Sequence, residues 1–239
     1  MDNNNFELIE NLIKRPLSKT EQEKFQVFEQ LFGIYNSHTN LVSKNDEKLL
    51  FEKHIYDSLS MVLFLEKYGI KEEAKILDVG TGGGFPSLPL SILYPEVQIY
   101  PLDSIAKKIG FIELVQKELR LENLHPLCSR VEDLKVEYKE NFDVVTSRAV
   151  AALNILLEYT MPFVKTDGYF VAFKSKNADE EIAGAKNALD ILNGQILERI
   201  AYNLPVEEAC DRELLVIKKT KSCAIKYPRR SGLPRKNPL

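Results

Sequence analysis

Ile76-Leu77-Asp78-Val79-Gly80-Thr81-Gly82-Gly83-Gly84-Phe85 is the stretch that decides how this chain folds. A short apolar run enters a glycine-rich turn, and a helical pattern follows at 86–94, so a strand runs into a helix. Glycines at such a turn let the backbone approach a ligand that side chains would hold off, and ligands of such sheets bind at the carboxyl ends of the strands. The next strand is expected to run to Asp103, 21 residues after Gly82. An acid there can accept hydrogen bonds from the two ribose hydroxyls of a nucleoside. A dinucleotide site would give a similar picture, but two details differ. The pattern is Gly-x-Gly-x-Gly, with Phe85 where a third spaced glycine would pack helix on strand. Asp78 precedes Gly80 by two residues; its carboxylate opposes a pyrophosphate and suits the ammonium group of S-adenosylmethionine.

Downstream of Lys75 the alternation continues. Strands are expected at 75–80, 97–102, 124–128, 143–147, 168–174, about 195–203 and 213–219. Helical patterns fill 86–94, 104–120, 151–162 and 178–191. Such alternation predicts an α/β doubly wound, mostly parallel sheet, and the short link at Pro205 allows an antiparallel hairpin at its edge. Pro101 cannot donate to a sheet ladder, so the second strand is expected to stop near it. Upstream, residues 6–36 read as two helices, with Phe6, Ile9 and Ile13 on one face and Phe25, Phe28 and Phe32 on another. Ser18 and Glu21 form a capping-box pair for the second helix, and 46–68 reads as a third helical region. The expected organisation is a helical appendage over 1–70, a sheet domain over 71–220 and a basic tail over 221–239. Three prolines in 227–239 predict an extended or loop tail.

Composition bounds the function classes. With 239 residues, 44% of them hydrophobic and 28% charged, one sizeable core is possible. No run is long enough to span a membrane, and the polar start Met1-Asp2-Asn3-Asn4-Asn5 lacks a signal-peptide pattern, so a cytoplasmic protein is expected. Cys128, Cys210 and Cys223 are too scattered and odd in number for a disulfide framework, and His38, His54 and His125 lack metal-ligand spacing. No metal is expected. No acidic residue follows Glu213, whereas eight basic residues follow Ile217. An acidic body with a basic tail suits a local polyanion contact, and equally a solvated tail.

Further groups of residues follow in order: Tyr35-Asn36, Asn40-Leu41-Val42-Ser43, His54-Ile55-Tyr56-Asp57-Ser58-Leu59, Leu102-Asp103-Ser104, Ser129-Arg130-Val131-Glu132, Ser147-Arg148-Ala149, and the tail from Lys226 to Pro238. Together with Asp78 to Pro86 they resemble the ribosomal RNA small-subunit methyltransferase G family, also called glucose-inhibited division protein B, over nearly the whole chain. The resemblance implies a class I S-adenosylmethionine-dependent methyltransferase fold, Rossmann-like, with a seven-stranded mostly parallel sheet and an antiparallel edge strand. It implies methyl transfer to N7 of one guanine in 16S ribosomal RNA. It places cofactor contacts at Gly80, Phe85, Val131, Glu132 and Arg148, to which the turn itself adds Asp78, Gly82 and Asp103. The family often has glycine-proline-glycine where this chain has Gly82-Gly83-Gly84, a difference in turn stiffness.

Guanine N7 carries a free lone pair, so no residue must deprotonate it, and no general base is expected. Val131 is expected to pack on the adenine ring beside Glu132; a solvated acid is the plainer reading of Glu132. Arg148 ends the fourth strand and faces the cofactor or an RNA phosphate, against a plain surface ion pair. His54 and Asp57, three apart on a helix, share a face and either line the pocket mouth or anchor the appendage. Lys174, Arg229, Arg230, Arg235 and Lys236 are the candidate RNA contacts. The target base is expected to be unstacked. A monomer is favoured. Another RNA, a protein or a metabolite as methyl acceptor, a nicotinamide-dependent oxidoreductase, and a non-catalytic RNA-binding factor stand as alternatives.

Overall fold

The computed structural model describes residues 1–39, 41–69, 72–175, 178–206 and 211–239. Asn40, in one of the quoted motifs, and Cys210 lie outside the described residues. Seven strands form one sheet: β1 (Lys75–Val79), β2 (Gln98–Asp103), β3 (Leu127–Cys128), β4 (Phe142–Arg148), β5 (Val164–Lys174), β6 (Gly194–Asn203) and β7 (Asp211–Lys219). Their spatial order is β3-β2-β1-β4-β5-β7-β6. The first five are parallel, and β7 runs against both β5 and β6. The expected hairpin therefore sits at the sheet edge, with β6 outermost. Every second residue of β6 is exposed, as an edge strand with one wet face requires.

Alternation along the inner strands splits the core. Ile76, Val144 and Val216 face one layer, where they meet Phe25, Phe28, Phe32 and Phe111. Leu77, Val145 and Leu215 face the other, against Leu153, Leu156 and Leu192. On the first face lie α1 (Asn3–Ile13), α2 (Lys19–Thr39), α6 (Ser87–Leu93) and α7 (Ala106–Leu119); on the second lie α8 (Leu153–Thr160) and α10 (Lys186–Leu192). The N-terminal helices thus share one core with the sheet. Ser18 and Glu21 close the capping box: the Glu21 amide donates to Ser18 Oγ at 3.2 Å and the Ser18 amide to Glu21 Oε2 at 2.7 Å.

Three expectations need correction; the end of β2 does not, since the strand runs through Pro101 and stops two residues on, at Asp103. The backbone of Ile99 bonds toward the β3 side, through His125 and Asn123, so two residues on Pro101 turns its missing donor the same way. Pairing on that side lapses between Leu124 and Leu127, and no ladder bond is lost. The third helical region is not one helix. It divides into α3 (Lys44–Glu47), a π-helical turn at Phe51–Tyr56, α4 (Asp57–Leu59) and α5 (Val62–Tyr68). Ser58 and Ser60 hydroxyls donate back to the carbonyls of His54 and Tyr56 and compete with the regular ladder. The 178–191 pattern is broken at Ala185 into α9 (Ala178–Gly184) and α10. The tail is not wholly extended, because Leu233–Lys236 forms a short helical turn, α11, with Pro234 in its first turn. Among the described residues no helix is long and apolar enough to cross a membrane.

Candidate active site at the carboxyl edge of the sheet

The strand order reverses between β1 and β4, which places a crevice at their carboxyl ends. The glycine turn and Arg148 both lie there. Gly80 has φ +76°, and a Cβ on it would stand 2.4 Å from Val150 Cγ2. Only glycine fits at that position. Gly84, at φ +90°, plays the close-packing part against Leu88 of α6, which frees Phe85 from it. Phe85 instead turns into the aromatic cluster of Phe28 and Phe32, with ring centroids 5.8 and 5.5 Å away.

Two adjoining cavities open here and share Gly80, Lys108, Arg148 and Ala149. The smaller, about 390 Å³, is walled by Asp103, Val131, Glu132 and Tyr159. Asp103 accepts from the Gly82 amide at 3.1 Å and the Ile105 amide at 2.9 Å, and Lys108 Nζ stands 3.6 Å away. Each carboxylate oxygen keeps a further lone pair for a hydroxyl. The larger, about 540 Å³, is walled by Leu41, His54, Asp57, Phe85, Phe173 and Lys174 among others. Lys53, Lys108, Arg148, Lys174 and Arg212 also border it, against Asp46, Asp57 and Glu181, so its rim is biased toward anions.

Arg148 organises the larger cavity. Its Nη1 donates to the Lys53 carbonyl and to Asp57 Oδ2, each at 2.9 Å, and Nη2 faces His54 Nδ1 at 3.0 Å. Its guanidinium lies over the Phe85 ring, 5.4 Å from the centroid. Tyr202 donates to the other Asp57 oxygen at 2.7 Å. Because His54 Nδ1 receives an Arg148 N–H, the ring proton sits on Nε2, which is buried without a partner. Burial and then the Arg148 charge push His54 down to about 4, so the ring is neutral.

Asp78 lies beneath the turn and not on the cavity surface. Ser87 Oγ donates to its Oδ2 at 2.7 Å, Oδ1 is buried without a partner, and burial pushes the carboxyl up to about 7. Lys174 is buried rather than exposed, its Nζ 2.5 Å from Glu181. In the tail, Arg230 and Lys236 are exposed, and Arg235 borders the smaller cavity. Arg229 is spent differently from the expected phosphate contact. It binds both oxygens of fully buried Glu158, at 2.8 and 2.5 Å, and serves an internal ion pair.

Residues 21–206 match the family described as rRNA small subunit methyltransferase G. The chain belongs to that family. The ribosomal RNA small subunit methyltransferase G of Streptococcus pyogenes serotype M49 is 40% identical over 225 residues, 93% of either protein. Among solved structures, a SAM dependent methyltransferase from Aquifex aeolicus superposes with a TM-score of 0.54 at 18% identity, over 73% of this chain and 98% of that one. The precorrin-6y C5,15-methyltransferase of Geobacter metallireducens gives 0.51 at 16% identity, over 68% and 88%. These two share the class I methyltransferase fold. Family membership makes this chain an S-adenosylmethionine-dependent rRNA methyltransferase.

The residues present fit that cofactor. A side-chain-free turn, an acid at the end of β2, and a buried carboxylate oxygen without a partner match a nucleoside carrying a cationic amino-acid arm. Sequence reasoning missed Lys108, Tyr202, Arg212 and Val150. Tyr202 and Arg212 are register partners on β6 and β7, so only the hairpin pairing brings them to Asp57. Lys108 had a readable signal, because it falls in the first turn of the helix that follows Asp103.

Proposed function

We propose that the two cavities are one active site of a 16S rRNA (guanine-N7)-methyltransferase. The smaller chamber takes the adenosyl part of S-adenosylmethionine and the larger takes the target guanine. When bound, S-adenosylmethionine supplies the methyl group on its sulfonium. Asp103 receives the ribose hydroxyls, Val131 packs on the adenine and Glu132 borders it. Gly80 and Gly82 allow close approach. Asp78 supplies negative charge from beneath the turn. Phe85, Arg148, His54 and Asp57 form one braced wall of the larger chamber, and Arg148 also borders the smaller.

No proton needs removal from N7, and the braced wall offers no spare base. His54 is neutral with Nδ1 engaged, and Asp57 is held by Arg148 and Tyr202. Rate therefore comes from alignment, an effect that can reach roughly 7–11 kcal/mol. Arg230 and Lys236 meet RNA phosphate around a base taken out of its stack, while Lys174 is held by Glu181. In this reading residues 1–70 wall the guanine chamber, 71–220 carry the cofactor, and 221–239 form the basic tail. The enzyme works as a monomer in the cytoplasm.

The observation that carries the assignment is the amide of Gly82 on Asp103, at the point where strand order reverses. Calorimetry with S-adenosylhomocysteine tests it. Asp103→Ala and Gly82→Asp are expected to lose at least tenfold in affinity, whereas Arg230→Ala keeps it and raises KM for RNA. Unchanged affinity in Asp103→Ala would refute the assignment.

A further inference from the structure

The basic tail does not trail into solvent. Tyr227 and Pro234 are buried, and Lys139 Nζ donates to the carbonyls of Ile225 and Tyr227, each at 2.8 Å. Arg229 locks onto Glu158 of α8 through its amide and its guanidinium. Beyond this latch the chain reaches the rim of the smaller cavity. Arg130 donates to Ser231 Oγ at 3.3 Å, the Gly232 amide to Glu132 Oε1 at 3.0 Å, and Arg235 to the Val150 carbonyl at 3.4 Å. Val150 is the residue whose methyl group covers Gly80. Gly232 and Arg235 line this cavity together with Asp103, Val131 and Glu132.

We propose that residues 231–235 form the outer wall of the adenosyl chamber, with Gly232 and Arg235 as positioning groups for the nucleoside. A glutamate on a short 3₁₀ turn (Val131–Asp133) would otherwise sweep freely in water. A charge-assisted bond from the Gly232 amide fixes its carboxylate at the cavity. Arg235 ties the wall to the loop that covers the glycine turn, so the tail braces the cofactor site at two points. The proposal rests on the assignment of the smaller cavity to the adenosyl group. It divides the tail's cations by role: Arg229 latches, Arg235 serves the cofactor, and Arg230 and Lys236 face outward. The tail then joins the RNA-facing surface to the cofactor chamber, so order in one favours binding at the other.

The test uses the full-length protein. Arg235 is exposed, so its truncation should leave the fold intact. Arg235→Ala is expected to raise the Kd for S-adenosylhomocysteine and the KM for S-adenosylmethionine about tenfold, with kcat and the KM for RNA within twofold of the parent. Saturating S-adenosylhomocysteine is expected to slow tryptic cleavage between Arg230 and Ser231 at least fivefold. Unchanged cofactor affinity in Arg235→Ala, or no protection of that bond, overturns the proposal. Asp103→Ala run alongside separates the two levels. If it weakens binding while Arg235→Ala does not, the chamber assignment stands and only the wall is wrong. If neither weakens binding, the chamber assignment itself fails.

Discussion

Burial is the main cause of the shifts of both Asp78 and His54, and in each it favours the neutral form. The consequences have opposite signs. Asp78 is raised from 3.8 to about 7, so its contribution to stability is full below about 4 and is lost as pH rises through 7. His54 is lowered from 6.5 to about 4, so its contribution is full above 6.5 and is lost as pH falls toward 4. Asp78→Asn should therefore stabilise the cofactor-free protein at pH 8, by a few kcal/mol at most, since one pKa unit is worth about 1.4 kcal/mol. The same carboxylate must ionise to meet a cationic ligand. S-adenosylhomocysteine affinity should fall up to tenfold per pH unit below about 7, and in Asp78→Asn it should be weaker and flat. Calorimetry at pH 6, 7 and 8 checks this, and an identical slope in Asp78→Asn would sink it. Arg148→Ala leaves Asp57 buried without its closest cation, which should cost about 3–5 kcal/mol in denaturant melts. Arg148→Lys keeps the charge but cannot reach Lys53, Asp57 and His54 together, and methyl transfer should fall with little recovery.

The glycine turn is the element whose reading from sequence held closest to the structure. Period-2 apolar runs feeding 3.6-period helices give the βα alternation directly, and Asp103 falls beside Gly82 as its spacing suggests. What was not legible depends on contacts distant in sequence. Pro101 marks the end of β2 to within two residues, but only the gap in β3 pairing shows where its missing donor points. His54 and Asp57 read as one helical face, yet a π-helical turn precedes Asp57 and Arg148, 91 residues away from it, defines their role. The basic tail reads as a polyanion contact because its acidic partners, Glu132 and Glu158, lie about 70 to 100 residues upstream. Gly80→Ala should lose about 1–2 kcal/mol through its left-handed backbone alone. It should also displace Val150, and thermal melts paired with cofactor titration would show the affinity falling more steeply than the stability. Arg229→Ala strands the Glu158 charge in the interior and should cost about 3–5 kcal/mol, read by equilibrium unfolding.

At the scale of the molecule, a chain of net charge −3 still brings Lys53, Lys108, Arg148, Arg212 and Arg235 to the borders of the two cavities, next to the exposed tail cations Arg230 and Lys236. RNA binding should therefore weaken steeply with salt. Alanine at Arg230 or Lys236 should reduce the slope of log K against log salt by about one for each phosphate contact removed. The tail cations follow from the charge of the tail, and the identity of the base from resemblance, since nothing in an alternating sheet encodes guanine N7. The most direct measurement supplies the purified protein and methyl-labelled S-adenosylmethionine to small ribosomal subunits, and to their naked RNA, from cells lacking this protein. The RNA is then digested and its nucleosides resolved by mass spectrometry. The expected result is label in 7-methylguanosine at a single position, absent with Asp103→Ala. Label in another nucleoside, or none on either substrate with protein that binds S-adenosylhomocysteine, would contradict it.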